Sequence, residues 1–147
     1  MIMSRLFNYC GYKIQDIQIS TRDQQVSVYL TRKSRKSFIC YRCKSPMERR
    51  RGHYLMQLQE LPIMNFRTIV KLWREKGHCP QCNKARSEHI EFVADETPHF
   101  THRYAWWIGE MCEFAAVKRV ADFTKFDNMT VRRIDFARIK QMLNEDT

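Results

Sequence analysis

Two short cysteine motifs are the residues of this sequence best suited to chemistry. Cys40-Tyr-Arg-Cys43 and Cys79-Pro-Gln-Cys82 are Cys-x-x-Cys pairs separated by 35 residues. Each pair can bend into a turn that offers two thiolates to one ion, and two such turns complete a tetrahedral zinc site. Because four thiolates leave no position for water, such a site stabilises a fold and does not catalyse a reaction. We therefore predict one structural zinc ion bound by Cys40, Cys43, Cys79 and Cys82.

Two other interpretations of the cysteine motifs compete with this one. The spacing of Cys79-Pro-Gln-Cys82 is also that of a thioredoxin-like dithiol, but neither pair opens a helix within a βαβ pattern. His53 and His78 could each replace a cysteine ligand, although four cysteines already complete the shell. The 35 residues between the pairs exceed the usual length in four-cysteine fingers, so we expect them to hold a β hairpin.

The charge of the chain points to a polyanionic partner. Its 26 Lys and Arg outnumber its 16 Asp and Glu, which gives a formal net charge of +10. The densest basic run, Arg32 to Arg51, holds nine positive residues and one acid, Glu48. One such run could equally be a solubilising surface, but two further basic clusters, over residues 67–86 and 118–140, favour nucleic acid. Within the densest run we predict DNA contacts from Lys33, Arg35, Arg49, Arg50 and Arg51.

Composition and apolar periodicity together predict an α+β protein with two domains. Apolar residues make up 44% of the chain and 18 residues are aromatic, which is sufficient for a packed core. We predict a small, antiparallel, zinc-ribbon-like β domain over residues 1–95 and a helical domain over residues 96–147. In the β domain, His53–Leu61 and Phe66–Trp73 are predicted as strands separated by Pro62, which has no N–H to donate to a ladder.

The helical domain is predicted to contain three helices, because apolar residues recur there at three- and four-residue intervals. Thr101 can cap the first helix, and a second short helix is expected from Ala116 to Phe123. Asp127 can accept the unpaired N–H groups that open the third helix. The apolar residues expected to face inward from that helix are Val131, Ile134, Ile139 and Leu143.

The second and third of these helices fit a helix-turn-helix, in which the second helix of the motif enters the major groove of DNA. Thr124 stands where an apolar residue is usual and Lys125 where Gly is usual, so a generic three-helix bundle with a basic face is the alternative. In the helix-turn-helix register, several residues at the start of the third helix face outward and could contact bases or phosphates: Asn128, Met129, Thr130, Arg132 and Arg133.

Taken together, these motifs resemble the N-terminal part of transposases of the ISL-three insertion-sequence family. The resemblance rests on the two cysteine pairs around a β hairpin, a Trp-rich helix, and Val120-Ala121 leading to Thr130-Val131-Arg132-Arg133-Ile134. It implies that the four cysteines are zinc ligands and that Asn128 to Ile134 begin the recognition helix. The sequence departs from the family at Tyr41, where Pro often follows the first cysteine.

The resemblance also implies a catalytic domain of ribonuclease-H-like fold with an Asp-Asp-Glu triad, which would begin where this sequence stops. We therefore expect a DNA-binding part that is not itself an enzyme and that binds the terminal inverted repeats of a mobile element. The expected partner is double-stranded DNA, a homodimer is left open, and no membrane is involved. Because Met1 to Cys10 contain no signal peptide, we expect a cytoplasmic, nucleoid-associated location.

Two alternative functions remain open at this point. An autonomous repressor could occupy the same DNA ends without transposing. A zinc-ribbon adaptor for RNA or protein could instead stack aromatic side chains on unpaired bases. The aromatic residues available for that stacking are Tyr29, Tyr41, Tyr54, Phe66 and Trp73.

Overall fold

The structure, a computed structural model, describes residues 8–146, apart from the side chain of Arg49. Within these described residues five strands precede three helices, so the predicted α+β class and the three helices are confirmed. The strands are β1 (Tyr12–Ser20), β2 (Gln25–Arg32), β3 (Glu48–Ile63), β4 (Phe66–Cys79) and β5 (Lys84–Ser87). The helices are α1 (His102–Met111), α2 (Val117–Thr124) and α3 (Asn128–Glu145).

The chain forms two compact units. The β unit comprises the residues up to Leu58 together with Pro62–Phe92, and the helical unit comprises Gln59–Leu61 together with the residues from Val93 onward. Residues 1–7 and Thr147, which the predicted domains include, lie outside the described residues. The functions assigned to residues 1–95 and 96–147 stay predictions.

The sheet of the β unit is mixed, so the prediction of an antiparallel domain was wrong for one pair of strands. The strand order is β1-β2-β4-β3, with β5 also paired to β4. β1 and β2 are antiparallel, as are β4 and β5, but β2 and β4 are parallel. Parallel neighbours need a connection of a dozen or more residues. Residues 33–65, which carry the first cysteine pair and β3, provide it.

β3 and β4 form the expected hairpin between the cysteine pairs, but both strands are longer than predicted. β3 continues through Pro62 to Ile63, so Pro62 does not end the strand. β3 is the last strand in the order β1-β2-β4-β3, and a residue without an N–H is tolerated at the edge of a sheet. β4 runs beyond Trp73 to Cys79, so the second cysteine pair begins where this strand ends.

Alternating residues of the central strands form the core of the β unit. Val26, Val28 and Leu30 of β2 are buried, together with Val70 and Leu72 of β4. Burial of each of these side chains contributes about 1.5–3 kcal/mol.

A fully buried carboxylate, that of Glu88, joins several segments of the β unit. The Tyr12 hydroxyl donates to it at 3.0 Å and the Lys36 ammonium at 2.9 Å, and Arg32 forms an ion pair with it. The backbone N–H of Glu75 donates at 3.1 Å. Two cations of the densest basic run are therefore used inside the fold instead of facing a ligand.

The main chain at Glu88 is held as firmly as its side chain. Arg74, itself buried, donates through Nε and Nη2 to the Glu88 carbonyl at 2.9 and 2.7 Å. Burial opposes ionisation of Glu88, but the Arg32 guanidinium, the Glu75 N–H and the Lys36 ammonium outweigh it and hold the pKa of this carboxyl below its usual range. Burial and the neighbouring carboxylate raise the pKa of Tyr12, so its hydroxyl stays a donor.

The helical unit begins with the predicted caps. The Thr101 hydroxyl accepts the N–H of Tyr104 at 3.4 Å at the start of α1. The Asp127 carboxylate accepts the N–H of Thr130 at 2.7 Å at the start of α3. α2 is displaced by one residue from the prediction, because Ala116 is its N-cap and not its first helical residue. No helix in the described part of the chain has both the length and the apolar character that crossing a membrane requires.

The inward face of α3 differs from the prediction in its second half. Val131 and Ile134 are buried in the apolar cluster of the helical unit, as expected. Ile139 and Leu143, however, are 42% and 63% exposed. Arg138 takes the inward position, and the chain accommodates it by pairing its charge, because one guanidinium nitrogen donates to the Glu113 carboxylate at 2.6 Å.

The Arg138 side chain also fits a space left by Gly109 of α1, where a Cβ would lie 2.5 Å from Arg138 Cδ. Its guanidinium carbon lies 4.9 Å from the centre of the Trp106 ring. A charged residue can thus occupy an inward helix position when a paired acid, an aromatic ring and a missing side chain meet it there.

Three residues of β3 belong to the helical unit. The Gln59 N–H donates to the His99 carbonyl at 2.7 Å, and the Thr101 N–H donates to the Gln59 carbonyl at 2.9 Å. The Glu60 carboxylate is buried, and it accepts the Thr101 hydroxyl at 2.9 Å and two nitrogens of Arg103 at 2.8 and 2.6 Å. The helical unit therefore includes residues from a strand that precedes it by more than thirty residues.

We predict that Glu88→Gln lowers the free energy of unfolding by about 3–5 kcal/mol, because the change leaves the largely buried Arg32 and Lys36 cations without a counter-charge. Urea unfolding of the full chain at neutral pH measures this. The stability due to the lowered pKa is present above the ordinary glutamate pKa and is lost as the pH falls through the lower folded value. The difference between the two proteins should therefore shrink in acid.

The control for this prediction is Glu96→Gln. Glu96 pairs with Lys140 at 3.5 Å, and both side chains are about half exposed, so the change should cost less than about 1 kcal/mol. Equal losses of unfolding free energy in the two variants would contradict the stabilising role given to Glu88.

Candidate metal centre and nucleic-acid interface

The first cysteine pair lies in a tight turn between two short bridged segments. The Cys40 N–H donates to the Ser45 carbonyl at 2.9 Å, and the Lys44 N–H donates back to the Cys40 carbonyl at 3.0 Å. Lys44 has a positive φ of 61°. This left-handed conformation is unfavourable for a residue with a Cβ, and a bond from the Lys44 ammonium to the Tyr41 carbonyl at 2.6 Å helps to hold it.

The second cysteine pair occupies the hairpin turn between β4 and β5. Cys79 is paired with Lys84 across this hairpin, and the Cys82 N–H donates to the Cys79 sulfur at 3.4 Å. Asn83, which follows the second cysteine as Lys44 follows Cys43, also has a positive φ, 53°. Asn is one of the residues that adopt this conformation most readily. Both cysteine pairs thus share one local geometry.

The two turns bring the four predicted sulfur atoms together. All four Sγ atoms lie within 4.8 Å of one another, and Cys43 Sγ is 3.4 Å from Cys79 Sγ. A tetrahedron of sulfurs about 2.3 Å from a central ion has edges of about 3.8 Å, so this arrangement could hold a metal ion. All six cysteines lie in the described part of the chain and none of them is in a disulfide.

Neither histidine considered as a substitute ligand belongs to this group of four within the described residues. The His53 ring instead packs edge-on against Trp73, with the ring centres 4.9 Å apart. Cys40 and Cys79 are fully buried, whereas Cys43 and Cys82 are half-buried. Met47 and the Phe38 side chain complete the apolar surroundings of the sulfurs. The donor set is therefore four thiols in a largely dry environment.

The thiols are not equally acidic. The Ser45 hydroxyl and N–H, helped by neighbouring thiols, lower the pKa of Cys43 to about 6. The Cys82 N–H favours the Cys79 thiolate, but burial and hydrogen bonds with the three other thiols outweigh it and raise the pKa of Cys79 to about 11. Deprotonation is thus favoured at Cys43 and opposed at Cys79. A divalent cation would favour the thiolate form of its cysteine ligands by neutralising their charge.

Two residues that support the cluster were not found from the sequence. Ser45 favours the thiolate form of Cys43 and lowers its pKa, and the nearby Cys82 sulfur raises the pKa of Arg86, on β5. Both lie within four residues of the second cysteine of a pair. A sequence search for such supporting residues would therefore examine the few positions after each Cys-x-x-Cys pair.

At the start of α3, the structure exposes most of the residues predicted to contact DNA. Asn128, Arg132 and Arg133 are exposed, and Met129 is 72% exposed. Thr130 is half-buried, and its N–H is used by the Asp127 cap. The basic and amide side chains of the first two turns are therefore free of the apolar cluster that holds Val131 and Ile134.

The two departures from the usual helix-turn-helix pattern have local explanations. Lys125 ends α2 in a left-handed conformation with φ 63°, which is the conformation that makes Gly usual at this position. The Thr124 hydroxyl donates to the Val120 carbonyl at 2.7 Å, so this polar residue is satisfied where an apolar one is usual. A three-residue turn, Lys125 to Asp127, joins α2 to α3.

The predicted contact residues of the β unit are exposed as far as their side chains are described. Lys33, Arg35, Arg50 and Arg51 are exposed, and the Arg50 guanidinium lies 5.6 Å from the centre of the Phe38 ring. The side chain of Arg49 lies outside the described residues. The structure thus leaves these cations accessible, and their contact with DNA stays a prediction.

The net positive charge of the chain is confined to the β unit. Its sequence has 18 Lys and Arg against six Asp and Glu, a balance of +12. The helical unit has eight against ten, a balance of −2. The third predicted basic cluster, residues 118–140, is therefore offset by acids in the same unit, such as Asp122 and Asp135. Long-range attraction of a polyanion would come from the β unit.

Comparison with known proteins relates the chain to transposases. No family model matches the chain, and no solved structure does either. The chain is 23% identical over 145 residues to the transposase for insertion sequence element IS1001 of Bordetella parapertussis. The aligned region covers 98% of this chain and 35% of that protein. The chain thus spans about a third of the length of the curated relative that it matches.

We predict that the purified chain binds one divalent ion and that Cys43→Ser and Cys79→Ser abolish this binding. Titration with Co²⁺, followed by its thiolate absorption bands, measures the stoichiometry and the affinity. Because binding displaces protons from the thiols, the affinity should fall as the pH is lowered. Cys112→Ser is the control, since Cys112 lies outside the cluster. Retention of the metal by a chain that lacks all four cysteines would contradict this assignment.

We also predict that Lys125→Gly raises the stability of the chain by about 0.5–1 kcal/mol, because Gly adopts the left-handed conformation without steric cost. The matched control, Lys118→Gly, removes the same charge inside α2 and should lower stability by about 1 kcal/mol. Thermal unfolding of both variants shows whether stability rises in the first and falls in the second. A loss at both positions would exclude the turn geometry described for Lys125.

Proposed function

We propose that this chain is the DNA-binding part of a transposase of the ISL-three family and that it recognises the terminal inverted repeats of a mobile element in double-stranded DNA. The observation that carries the proposal is the exposed start of α3, where Asn128, Arg132 and Arg133 extend from a helix joined to α2 by a three-residue turn. The similarity to a transposase supports it.

In this proposal α3 enters the major groove and specifies the sequence. Arg can pair with guanine and Asn with adenine through two hydrogen bonds each, which discriminates against other bases. Val131 and Ile134 anchor the helix from its opposite side, and the Asp127 cap fixes where the helix begins. The side chains of Asn128, Arg132 and Arg133 are thereby held on a rigid support.

The β unit supplies the affinity that does not depend on sequence. Its balance of +12, reduced to about +10 when a divalent ion binds four thiolates, attracts the phosphate backbone. Lys33, Arg35, Arg50 and Arg51 are the exposed cations proposed to contact phosphates. Phosphate contacts position a protein on DNA, and base contacts specify the site. The two tasks would therefore be divided between the two units.

We further propose that the ion is zinc and that the chain does not itself cut DNA. Four cysteine thiolates are the ligands typical of structural zinc, and this shell leaves no open position for a reactive water. Bound to Cys40, Cys43, Cys79 and Cys82, zinc would supply folding energy to the β unit. In the resembling family, cleavage belongs to a separate catalytic domain.

The proposal predicts that Arg132→Ala and Asn128→Ala each weaken binding to a selected cognate duplex by about 1–3 kcal/mol. Binding to unrelated duplexes should hardly change. Binding-site selection with the zinc-loaded chain provides the cognate sequence and shows whether the preference relaxes at one or two base pairs. Gln141→Ala, an uncharged and exposed change in the C-terminal half of α3, is the control.

A paired measurement tests the β unit. Replacing Arg50 and Arg51 by Ala should weaken binding to all duplexes alike and reduce the slope of log K against log salt by about 1.8.

If every α3 variant recovers the wild-type consensus sequence at unchanged affinity, α3 is excluded as the element that specifies sequence.

A further inference from the structure

The β unit exposes a large aromatic side chain on β4. Trp73, on β4, is 55% exposed, and Leu55, on the neighbouring strand β3, is 48% exposed. The His53 ring meets the Trp73 ring edge-on at an interplanar angle of 90°. This edge-on contact favours one orientation of the indole, so its exposed part offers a preformed aromatic surface to a ligand.

Cationic and aromatic side chains continue this surface toward β2. Alternation along β4 places Arg67, Lys71 and Trp73 on the same face of the sheet. Tyr29 of β2 is the parallel partner of Lys71, and the Lys71 ammonium lies 5.4 Å from the centre of the Tyr29 ring. Arg67 is exposed and reaches the Gln25 amide oxygen at 3.1 Å. We call the surface formed by Tyr29, His53, Arg67, Lys71 and Trp73 the aromatic face.

The charge near the aromatic face suits a phosphate chain. Arg67 and Lys71 are on the face itself, and Arg51 is exposed two residues before His53. The acid on the same side of β4 is Glu75, which is half-buried. The whole β unit carries a balance of +12. Binding a purely apolar partner would cost free energy, because these cations would lose their water, whereas a phosphate chain would neutralise their charge.

We propose that the aromatic face binds unpaired nucleobases of single-stranded nucleic acid, with a base stacked on Trp73 and the adjoining phosphates at Lys71 and Arg67. Bases inside a duplex are stacked on one another, so an unpaired strand is the ligand whose bases are free to stack on the exposed Trp73 ring. Tyr29, a diagonal neighbour of Trp73 across the two strands, provides a second ring for an adjacent base. This proposal concerns residues of the β unit and does not use the base contacts proposed for α3.

Fluorescence anisotropy with the full, zinc-loaded chain tests this proposal. The labelled probes are an oligothymidine of about ten nucleotides, the corresponding oligouridine, and a blunt duplex. Trp73→Ala should weaken binding to the single-stranded probes roughly 5- to 150-fold, the range expected for the loss of one stacked base. Binding to the blunt duplex should not change. If Trp73→Ala weakens binding to both single-stranded probes, base stacking is the chemistry that DNA and RNA share. If it weakens binding to only one probe, that probe identifies DNA or RNA as the ligand.

Matched variants separate stacking from a general loss of apolar surface. Trp73→Phe keeps an aromatic ring and should retain most of the affinity for the single strand. Ile19→Ala removes an apolar side chain that is 66% exposed on β1, away from the aromatic face, and should have no effect. Lys71→Ala should reduce the salt dependence of single-strand binding.

A second measurement does not depend on a variant folding correctly. An oligothymidine that carries a photoreactive iodouracil should crosslink the wild-type chain at the peptide containing Trp73. The proposal would be overturned by crosslinking only at other peptides. It would also be overturned if the Trp73→Ala variant bound both single strands normally, or if it lost duplex and single-strand affinity by the same factor. Because blunt-duplex binding is measured in parallel, failure of this site is distinguishable from failure of the duplex function proposed above.

Discussion

A buried negative charge must be neutralised where it lies, and the β unit is arranged around that of Glu88. The carboxylate draws Tyr12 of β1, Arg32 of β2 and Lys36 of the following segment to one point. The backbone of Glu88 is bridged to that of Cys40, and Glu88 directly follows β5, which begins just after the second cysteine pair. The residue that carries this charge is therefore bridged to the first cysteine pair and connected through β5 to the second.

Features with a local cause could be predicted from the sequence. The cysteine spacing determines that each pair forms a turn, and the caps at Thr101 and Asp127 depend on residues three positions apart, so these interactions are visible in a short window. Features that depend on distant residues could not be predicted. The parallel pairing of β2 with β4 and the extension of β3 through Pro62 are determined by which strands become neighbours.

Arg138 shows why periodicity fails in the second half of α3. A pattern of apolar residues assumes that charged side chains point outward, but the cost of burying Arg138 is offset by Glu113, Trp106 and the space at Gly109. Ile139 is exposed as a result. Likewise, the count of basic residues overstates what a ligand can meet, because Arg32 and Lys36 neutralise Glu88 inside the β unit.

The membership of Gln59–Leu61 in the helical unit has a consequence for the exchange of modules between related genes. A recombination event near residue 93 would transfer α1, α2 and α3 but leave Glu60 behind in the donor gene. Arg103 would then meet whatever residue the recipient strand supplies at that position, in a place where Glu60 is now fully shielded from water. Such an exchange would therefore divide one compact unit, because residues 59–61 of β3 and the three helices belong together.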